Sequence, residues 1–487
     1  MHRLSFLATA LASLLVAVSP AVAAERPNVL VVLTDDMRWD TIGVVQKEQG
    51  KAALFPWLKT PNLDRLASEG ARFTNAFCTT SLCSPSRASF LSGEYAHRHK
   101  VLSNFTDYPN DLPSYPKGLQ AAGYETAYIG KWHMGEDDDR KRPGFDFWMS
   151  HRGQGNYFDT EFNVDGTRKV IKGYYTTVVT DAAVDWIKKK HAKPWMLVLG
   201  HKAPHGGPIT PEPKYEKVFD AEAVTKPANA EAYKGGGKPK WLEEQYPTWH
   251  GLGGPLYGQK EYGKFVRAYL GTIASVDDSV GRLYQTLKDA GQLDNTLIVF
   301  TTDNGFAIGE HGRVDKRTAY EESLRLPLLV RYPPLAKAGT VVKEMVLSLD
   351  LAPTVLDVCG AKPLPKADGR SWKPLLEGKA EGWRSAFFYQ YDYEAQFPYT
   401  PNVRAVRTAD WKYIRYPHGD GKPDRHASEL YDLKADPLET NNLAADPAHA
   451  ARVKELAELL DKLMKEHDAL PDKMPLDDGI KNVLPKF

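Results

Sequence analysis

Short apolar runs that each stop at charged or polar side chains recur along this chain, with amphipathic stretches between them. Residues 29–33 are all apolar and end at Thr34, Asp35 and Asp36, the pattern of a strand buried on both faces of a parallel sheet. Three further segments repeat it. Residues 125–129 run into Gly130-Lys131-Trp132-His133, residues 195–199 into His201-Lys202-Ala203-Pro204-His205, and residues 297–302 into Asp303-Asn304-Gly305. Residues 63–69, 177–189 and 265–290 carry apolar positions at helical spacing, so strands alternate with helices as in an open α/β sheet. Ligands of such sheets sit beyond the carboxyl ends of the strands. Asp35, Asp36, Lys131, His133, His205, Asp303 and Asn304 are therefore expected on one rim.

Two stretches break the alternation. Residues 206–263 are rich in Pro, Gly and aromatic side chains with little periodicity, and so long a loop in a compact domain is usually a lid or a pocket wall. Beyond residue 375 come short strand-like pieces at 385–391, 403–407 and 412–416. An amphipathic helix then spans 448–467, with Val453, Leu456, Leu459, Leu460 and Leu463 on its apolar face. The expected division is a large domain over 24–375 and a smaller α+β subdomain over 376–487.

Ahead of both, Arg3, the apolar run 11–18 and Ala21-Val22-Ala23 read as a signal peptide over 1–23 with a small-x-small cleavage site. The protein is thus expected to be secreted or periplasmic. The apolar run is broken by Ser13 and ends at Ser19-Pro20, short of the roughly 20 residues that a span needs, so no stable membrane insertion is expected. Lys plus Arg (63) nearly balance Asp plus Glu (62), which removes nucleic acid as an expected partner and leaves any anionic substrate to a local cluster. The three cysteines, Cys78, Cys83 and Cys359, are too few for a disulfide framework. Cys78 and Cys359 read as small core residues.

Cys83 opens the run Cys83-Ser84-Pro85-Ser86-Arg87-Ala88-Ser89-Phe90-Leu91-Ser92-Gly93. Pro85 suits the first turn of a helix, where its missing N–H is not needed, and Gly93 suits the stop. Position 83 then lies at the positive end of a helix, where free N–H groups favour an anionic oxygen or a sulfate. Arg87, one turn on, is placed to hold that side chain. Asp35, Asp36, Asp303 and Asn304 are oxygen donors of the kind that suits calcium or magnesium over zinc.

This run resembles the C-x-P-S-R signature of the type I sulfatases, members of the alkaline phosphatase superfamily. The likeness covers nearly the whole chain after residue 23. It passes through Thr34-Asp35-Asp36, Gly130-Lys131-Trp132-His133, Ala203-Pro204-His205, Asp303-Asn304-Gly305 and Asp315-Lys316-Arg317, and on through the segment from Glu429 to Leu443. It implies an alkaline-phosphatase-like α/β fold, a large mixed, mostly parallel sheet sandwiched by helices, with a smaller C-terminal α+β subdomain. It also implies hydrolysis of sulfate esters by a formylglycine that a formylglycine-generating enzyme makes from Cys83. By the same resemblance Asp35, Asp36, Asp303, Asn304 and residue 83 bind one cation, calcium or alternatively magnesium. Arg87 holds the modified side chain, Lys131 and Lys316 contact sulfate, His133 is the base that releases it, and His205 protonates the leaving alcohol. A hydrated aldehyde carries two hydroxyls on one carbon, so one attacks sulfur and the other expels sulfate, an exit that a serine lacks.

Within the family, Trp249-His250-Gly251 and the stretch from Gly309 to Ser323 look most like bacterial carbohydrate sulfatases of the N-acetylglucosamine-6-sulfatase or iduronate sulfatase kind. A sulfated glycan, glycosaminoglycan or algal polysaccharide, is the expected substrate, ahead of a small sulfate ester. His97, Arg98, Trp249, His250, His311 and Arg313 are expected to recognise the sugar, because aromatic and basic side chains suit an anionic carbohydrate. Two other functions fit the same residues: a phosphoester or phosphonate hydrolase, and a glycan-binding protein in which Cys83 stays a thiol.

Overall fold

The computed structural model describes residues 26–206, 208–254 and 261–481; the expected leader over 1–23 lies outside them. The large sheet contains β1 (Asn28–Asp35), β2 (Ala71–Phe77), β3 (Glu125–Gly130), β4 (Phe147–Ser150), β5 (Glu161–Val164) and β6 (Thr167–Val170). It is completed by β7 (Trp195–Pro204), β8 (Thr296–Thr302), β9 (Arg325–Arg331), β10 (Thr340–Val342) and β11 (Val346–Leu347). Its order is β10-β2-β9-β8-β1-β7-β3-β4-β5-β6, with β11 also on β2. The centre is parallel: β1 pairs with β8 and β7, and β3 pairs with β7 and β4. Antiparallel strands flank it, β9 against β8 and β2 on one side, β5 and β6 on the other.

All eight residues of β1 are buried, as a strand covered on both faces requires. Leu30 and Val32 enter one apolar core with Val266, Ile273 and Val276 of helix Tyr262–Asp289. Val29, Val31 and Leu33 enter the other, with Leu119, Val355 and Leu356. Period-two alternation thus feeds two cores from one strand, and the helices sandwich the sheet. The sheet is therefore the large, mixed and mostly parallel one expected.

Two differences from the sequence pattern have a common reason. β7 continues five residues past the apolar run, to Pro204, because Gly200 pairs with Gly130 and Pro204 with Asp35. His201 and Lys202 are polar yet buried there, so polarity hid the end of the strand. β2 and β9 were also hidden, since Arg72, Thr74 and Asn75 interrupt the one and Arg325, Pro327 and Arg331 the other.

A separate antiparallel sheet follows, in the order β12 (Ala386–Tyr391), β13 (Val403–Thr408), β14 (Trp411–Arg415), β15 (Glu429–Asp432). Helix Ala450–Glu466 lays Leu456, Leu460 and Met464 on it. The expected helix began two residues earlier, but Pro447–His449 is a 3₁₀ turn. The two sheets share a core in which Tyr95 stacks on Phe388 with ring centroids 4.1 Å apart and Phe77 meets Phe387 at 5.2 Å. No helix among the described residues is long and apolar enough to cross a membrane.

Gly130, the last residue of β3, adopts φ 104°, and a Cβ there would fall 2.0 Å from the Gly200 carbonyl oxygen. Only glycine lets β3 and β7 approach this closely just before Lys131. Gly130→Ala is expected to lower the thermal midpoint by an amount worth about 1–3 kcal/mol. Gly166→Ala, at φ 96° with nothing within 4 Å of the added carbon, serves as the strain-only control. Equal losses in the two variants would show that crowding against Gly200 is unimportant.

Candidate active site

Helix Cys83–Ser92 is buried along its whole length, so its polar side chains need partners inside the protein. Gly93 closes it in the left-handed conformation, φ 71°, donating to the Ser89 carbonyl. Arg87 points its guanidinium at three strand ends. Nη2 donates to Asp35 Oδ2 at 2.9 Å, Nε to Asp303 Oδ2 at 3.0 Å and Nη1 to the Lys131 carbonyl at 2.7 Å. One arginine therefore ties the helix to β1, β8 and β3.

The side chain of Cys83 lies inside this knot. Its Sγ is 3.3 Å from Asp35 Oδ1 and 2.9 Å from Lys316 Nζ, and the same ammonium donates to Asp36 Oδ1 at 2.6 Å. Lys131 Nζ is shared between Asp35 Oδ2 and Gln154 Oε1. Asp303 Oδ1 accepts from the Asp36 and Asn304 backbone N–H groups at 3.2 and 2.8 Å. Asp36 and His133 both hold positive φ, 63° and 47°, a left-handed conformation that costs about 1–2 kcal/mol for a non-glycine residue. Sheet and helix packing hold both in place.

The hydrogen bonds assign the imidazole tautomers. His133 Nε2 donates to Glu136 Oε1 at 3.0 Å, because an ionised carboxylate only accepts. Its Nδ1 is buried and has no hydrogen-bond partner among the described residues, a lone pair held ready for a proton. His205 Nδ1 donates to the Gly206 carbonyl at 2.9 Å, and its Nε2 lies 3.7 Å from Asp36 Oδ2. Burial first, then the Lys131 charge, pushes both imidazoles well below their ordinary value.

Charge in the cluster is strained. Burial raises Asp35, but Lys131, His205, Arg87 and Lys316 outweigh it and hold that carboxyl well below the usual range. Asp303 is pushed up to about 7 by burial and then by the Asp35 charge, against Arg87. Asp36 is raised by burial, against Lys316, with the Asp35 charge adding to the rise. Burial and Asp35 also push the Cys83 thiol up, so an unmodified side chain there is a protonated thiol and a poor nucleophile.

These residues fit a hard cation. Oxygens of Asp35, Asp36 and Asp303 lie within 4.8 Å of one another. The Asn304 side-chain oxygen is buried with no hydrogen-bond partner among the described residues, while its Nδ2 donates to Asp36 Oδ1 at 2.7 Å and the Gly305 carbonyl at 2.8 Å. Oxygen donors of this kind suit calcium or magnesium. A second buried group, His311, Glu322 and Glu439, has ligand atoms equally near one another, but Lys412 Nζ already neutralises Glu439 at 2.7 Å.

The residues expected to recognise sugar are dispersed. His97 Nδ1 lies 2.8 Å from the Gln390 side-chain amide and its Nε2 2.8 Å from the His467 carbonyl, and Arg98 pairs with Asp368 at 3.0 Å. Those two face the C-terminal sheet. His311 is buried and stacks on Tyr320 at 4.0 Å. Arg313 is buried against Asp315 at 2.7 Å and over Trp241. Trp249 is half-buried, and His250 accepts from Arg317 Nη1 at 3.3 Å beside Phe397. Gln154, Glu136 and Asn104, whose Oδ1 receives the Ser84 N–H at 3.1 Å, touch the cluster without a sequence motif to announce them.

The family model described as Sulfatase matches residues 27–361. The chain belongs to the sulfatase family. A second model, N-sulphoglucosamine sulphohydrolase, C-terminal, matches residues 309–466. This sulfatase, a sulfuric ester hydrolase, is 34% identical to an N-acetylglucosamine-6-O-sulfatase of Bacteroides thetaiotaomicron, over 92% of this chain and 88% of that one. It superimposes with a TM-score of 0.82 at 32% identity on a solved protein in complex with its substrate D-glucosamine-2-N,6-O-disulfate, covering 92% and 99% of the two chains. A phosphonate monoester hydrolase of Agrobacterium radiobacter gives a TM-score of 0.74 at 26% identity, over 94% of this chain and 100% of the other. The alkaline-phosphatase-like fold expected from the sequence is thus the one observed.

A cation entering this sulfatase must displace the proton that Asp303 keeps up to about pH 7, so apparent affinity is expected to rise with pH up to that point. Calcium or magnesium added to chelator-treated protein should raise the thermal midpoint, by about 2.7 kcal/mol of stability at 100 times Kd. Asp303→Ala should abolish the rise. An unchanged midpoint in the wild type at saturating calcium and magnesium would exclude a cation from these carboxylates.

Proposed function

We propose that this sulfatase removes sulfate from a sulfated glycan, on a 6-O-sulfated glucosamine of a glycosaminoglycan, using a formylglycine made from Cys83 by a formylglycine-generating enzyme. The observation that carries the reading is Lys316, whose ammonium contacts both Cys83 Sγ at 2.9 Å and Asp36 Oδ1 at 2.6 Å. Residue 83 is thereby joined to the carboxylates that would hold a cation. The named relative and the glucosamine disulfate complex support the amino sugar. Calcium is the favoured ion, with magnesium the alternative; Asp35, Asp36, Asp303, Asn304 and residue 83 would hold it. Bound there, the cation would lower the pKa of the attacking hydroxyl.

Each residue has a task that its surroundings support. Lys131 and Lys316 balance the charge of the sulfate oxygens, and Arg87 holds the helix start against Asp35 and Asp303. The anionic ester offsets the burial and the Lys131 charge that keep His205 neutral in the free protein. Protonated on Nε2, with Nδ1 still donating to the Gly206 carbonyl, the imidazolium gives the sugar oxygen its proton as the bond to sulfur breaks, since an alcohol leaves far better than an alkoxide. The free Nδ1 of His133 takes the proton of the second hydroxyl, whose oxygen becomes the aldehyde carbonyl as sulfate departs. The expected leader 1–23 would direct the protein out of the cytoplasm, where such polysaccharides are met.

The peptide containing position 83 should be about 18 Da lighter than its cysteine form, the mass change from thiol to aldehyde. Cys83→Ala should be inactive on 6-O-sulfated glucosamine. His205→Ala should cost about 100- to 10,000-fold in kcat on the sugar sulfate, and much less on an aryl sulfate whose phenolate leaves unaided. A thiol of unchanged mass in fully active protein, or faster turnover of a phosphonate monoester than of any sulfate ester, would overturn the proposal.

A further inference from the structure

Among the described residues five lysines have buried side chains: Lys131, Lys202, Lys238, Lys316 and Lys412. Four have carboxylate partners, Lys131 on Asp35, Lys238 on Glu429 at 3.5 Å, Lys316 on Asp36 at 2.6 Å and Lys412 on Glu439 at 2.7 Å. Lys202, 3% exposed, is the exception. Its Nζ reaches the Gln154 backbone carbonyl at 3.3 Å and stands 5.2 Å from the centroid of the Tyr157 ring. A carbonyl and an aromatic face are weak compensation for a buried ammonium. Burial, followed by the Lys131 charge, pushes Lys202 down to about 7. An anion alongside it would restore the full charge.

The surroundings place that missing anion near the chemistry. Gln154 holds both lysines, taking Lys131 Nζ on its side-chain oxygen and Lys202 Nζ on its backbone oxygen. The turn that does this depends on Gly155, φ 64°, where a Cβ would meet the His151 ring at 2.6 Å. His151 is itself fixed, with Nε2 2.8 Å from the Tyr175 hydroxyl and Nδ1 3.0 Å from the Arg152 carbonyl. Tyr157 is fixed by donating to the His205 carbonyl at 2.9 Å. Lys202 thus sits on a rigid wall between the lysine and the histidine assigned to the scissile sulfate.

We propose that Lys202, held by Gln154 and Tyr157, is a specificity residue that receives a second anionic substituent of the sugar, a sulfamate or a carboxylate. This rests on the reading of the protein as a glucosamine 6-O-sulfatase. A monoanionic substrate leaves Lys202 without a counter-charge, whereas a dianionic one satisfies both ammonium groups. Selectivity for the doubly charged sugar follows.

The test compares kcat/KM for 6-O-sulfated N-acetylglucosamine, for N-sulfated 6-O-sulfated glucosamine, and for 6-O-sulfated N-acetylglucosamine linked to a uronic acid. In the wild type at least one dianionic sugar should be preferred, and which one identifies the substituent as sulfamate or carboxylate. Lys202→Met should lower that preference about tenfold or more, the worth of one charge-assisted hydrogen bond. Lys202→Arg should retain most of it. The ratio of two substrates cancels any general loss from imperfect folding. A wild-type preference for the monoanionic sugar, or an unchanged ratio in Lys202→Met, overturns the proposal and leaves the parent reading intact. Failure of the wild type on all three sugars removes the parent reading, and the proposal falls with it.

Discussion

Three carboxylates buried around one point repel each other, and the surrounding structure is organised to hold them there. Asp35, Asp36 and Asp303 are all almost inaccessible to water, and separation of a few ångströms in that environment makes joint ionisation costly. Arg87, Lys131 and Lys316 supply three compensating charges. Carboxylates and cations then balance, so a divalent ion leaves the site net positive, as capture of an anionic ester requires. The orphan oxygen of Asn304 is the polar counterpart of the same demand. Removing Arg87 would take away one compensating charge and the helix's ties to Asp35, Asp303 and the Lys131 carbonyl together, leaving Ser84 and Ser86 to hold the helix start.

The fold delivers these groups by a simple device. Parallel central strands place their carboxyl ends on one side, and β1, β3, β7 and β8 end there with Asp35, Lys131, His205 and Asp303 next to or within their last residues. The helix that begins at Cys83 lies across the same edge with its start toward the carboxylates. Backbone strain at Asp36 and His133 is sustained because the chain on both sides is locked into sheet or core. The C-terminal sheet takes part as well: Glu394, just beyond β12, accepts from Arg317 Nε at 2.8 Å. Arg317 in turn pairs with Asp315 at 2.7 Å, so the residues on both sides of Lys316 are anchored.

Much of this was legible in the sequence, and for identifiable reasons. An apolar run ending in acids is a local signal, so β1, β3 and β8 and the rim residues could be read directly. Helices with long periodic faces, such as Tyr262–Asp289, were equally clear. Strands whose sequence mixes charge with apolar residues, β2 and β9, were not, because tertiary burial there overrides pattern. The site shows the same division. Residues in contiguous motifs, Cys83 through Arg87 and Asp315 through Arg317, were visible. Gln154 and Lys202 were not singled out, since their importance lies in a contact between a loop after β4 and the end of β7. Conversely, His97 and Arg98 have the composition of a sugar site, yet their side chains are engaged by Gln390, the His467 carbonyl and Asp368, contacts that composition alone does not reveal.

The balance of charge around residue 83 is open to direct measurement by elemental analysis of active, extensively dialysed protein, wild type beside Asp35→Asn. We expect close to one calcium or magnesium per wild-type chain, and neither bound metal nor sulfate ester hydrolysis in the variant. Full hydrolysis of a sulfated sugar by wild-type protein shown to carry no divalent ion would contradict the assignment of a cation to the buried carboxylates.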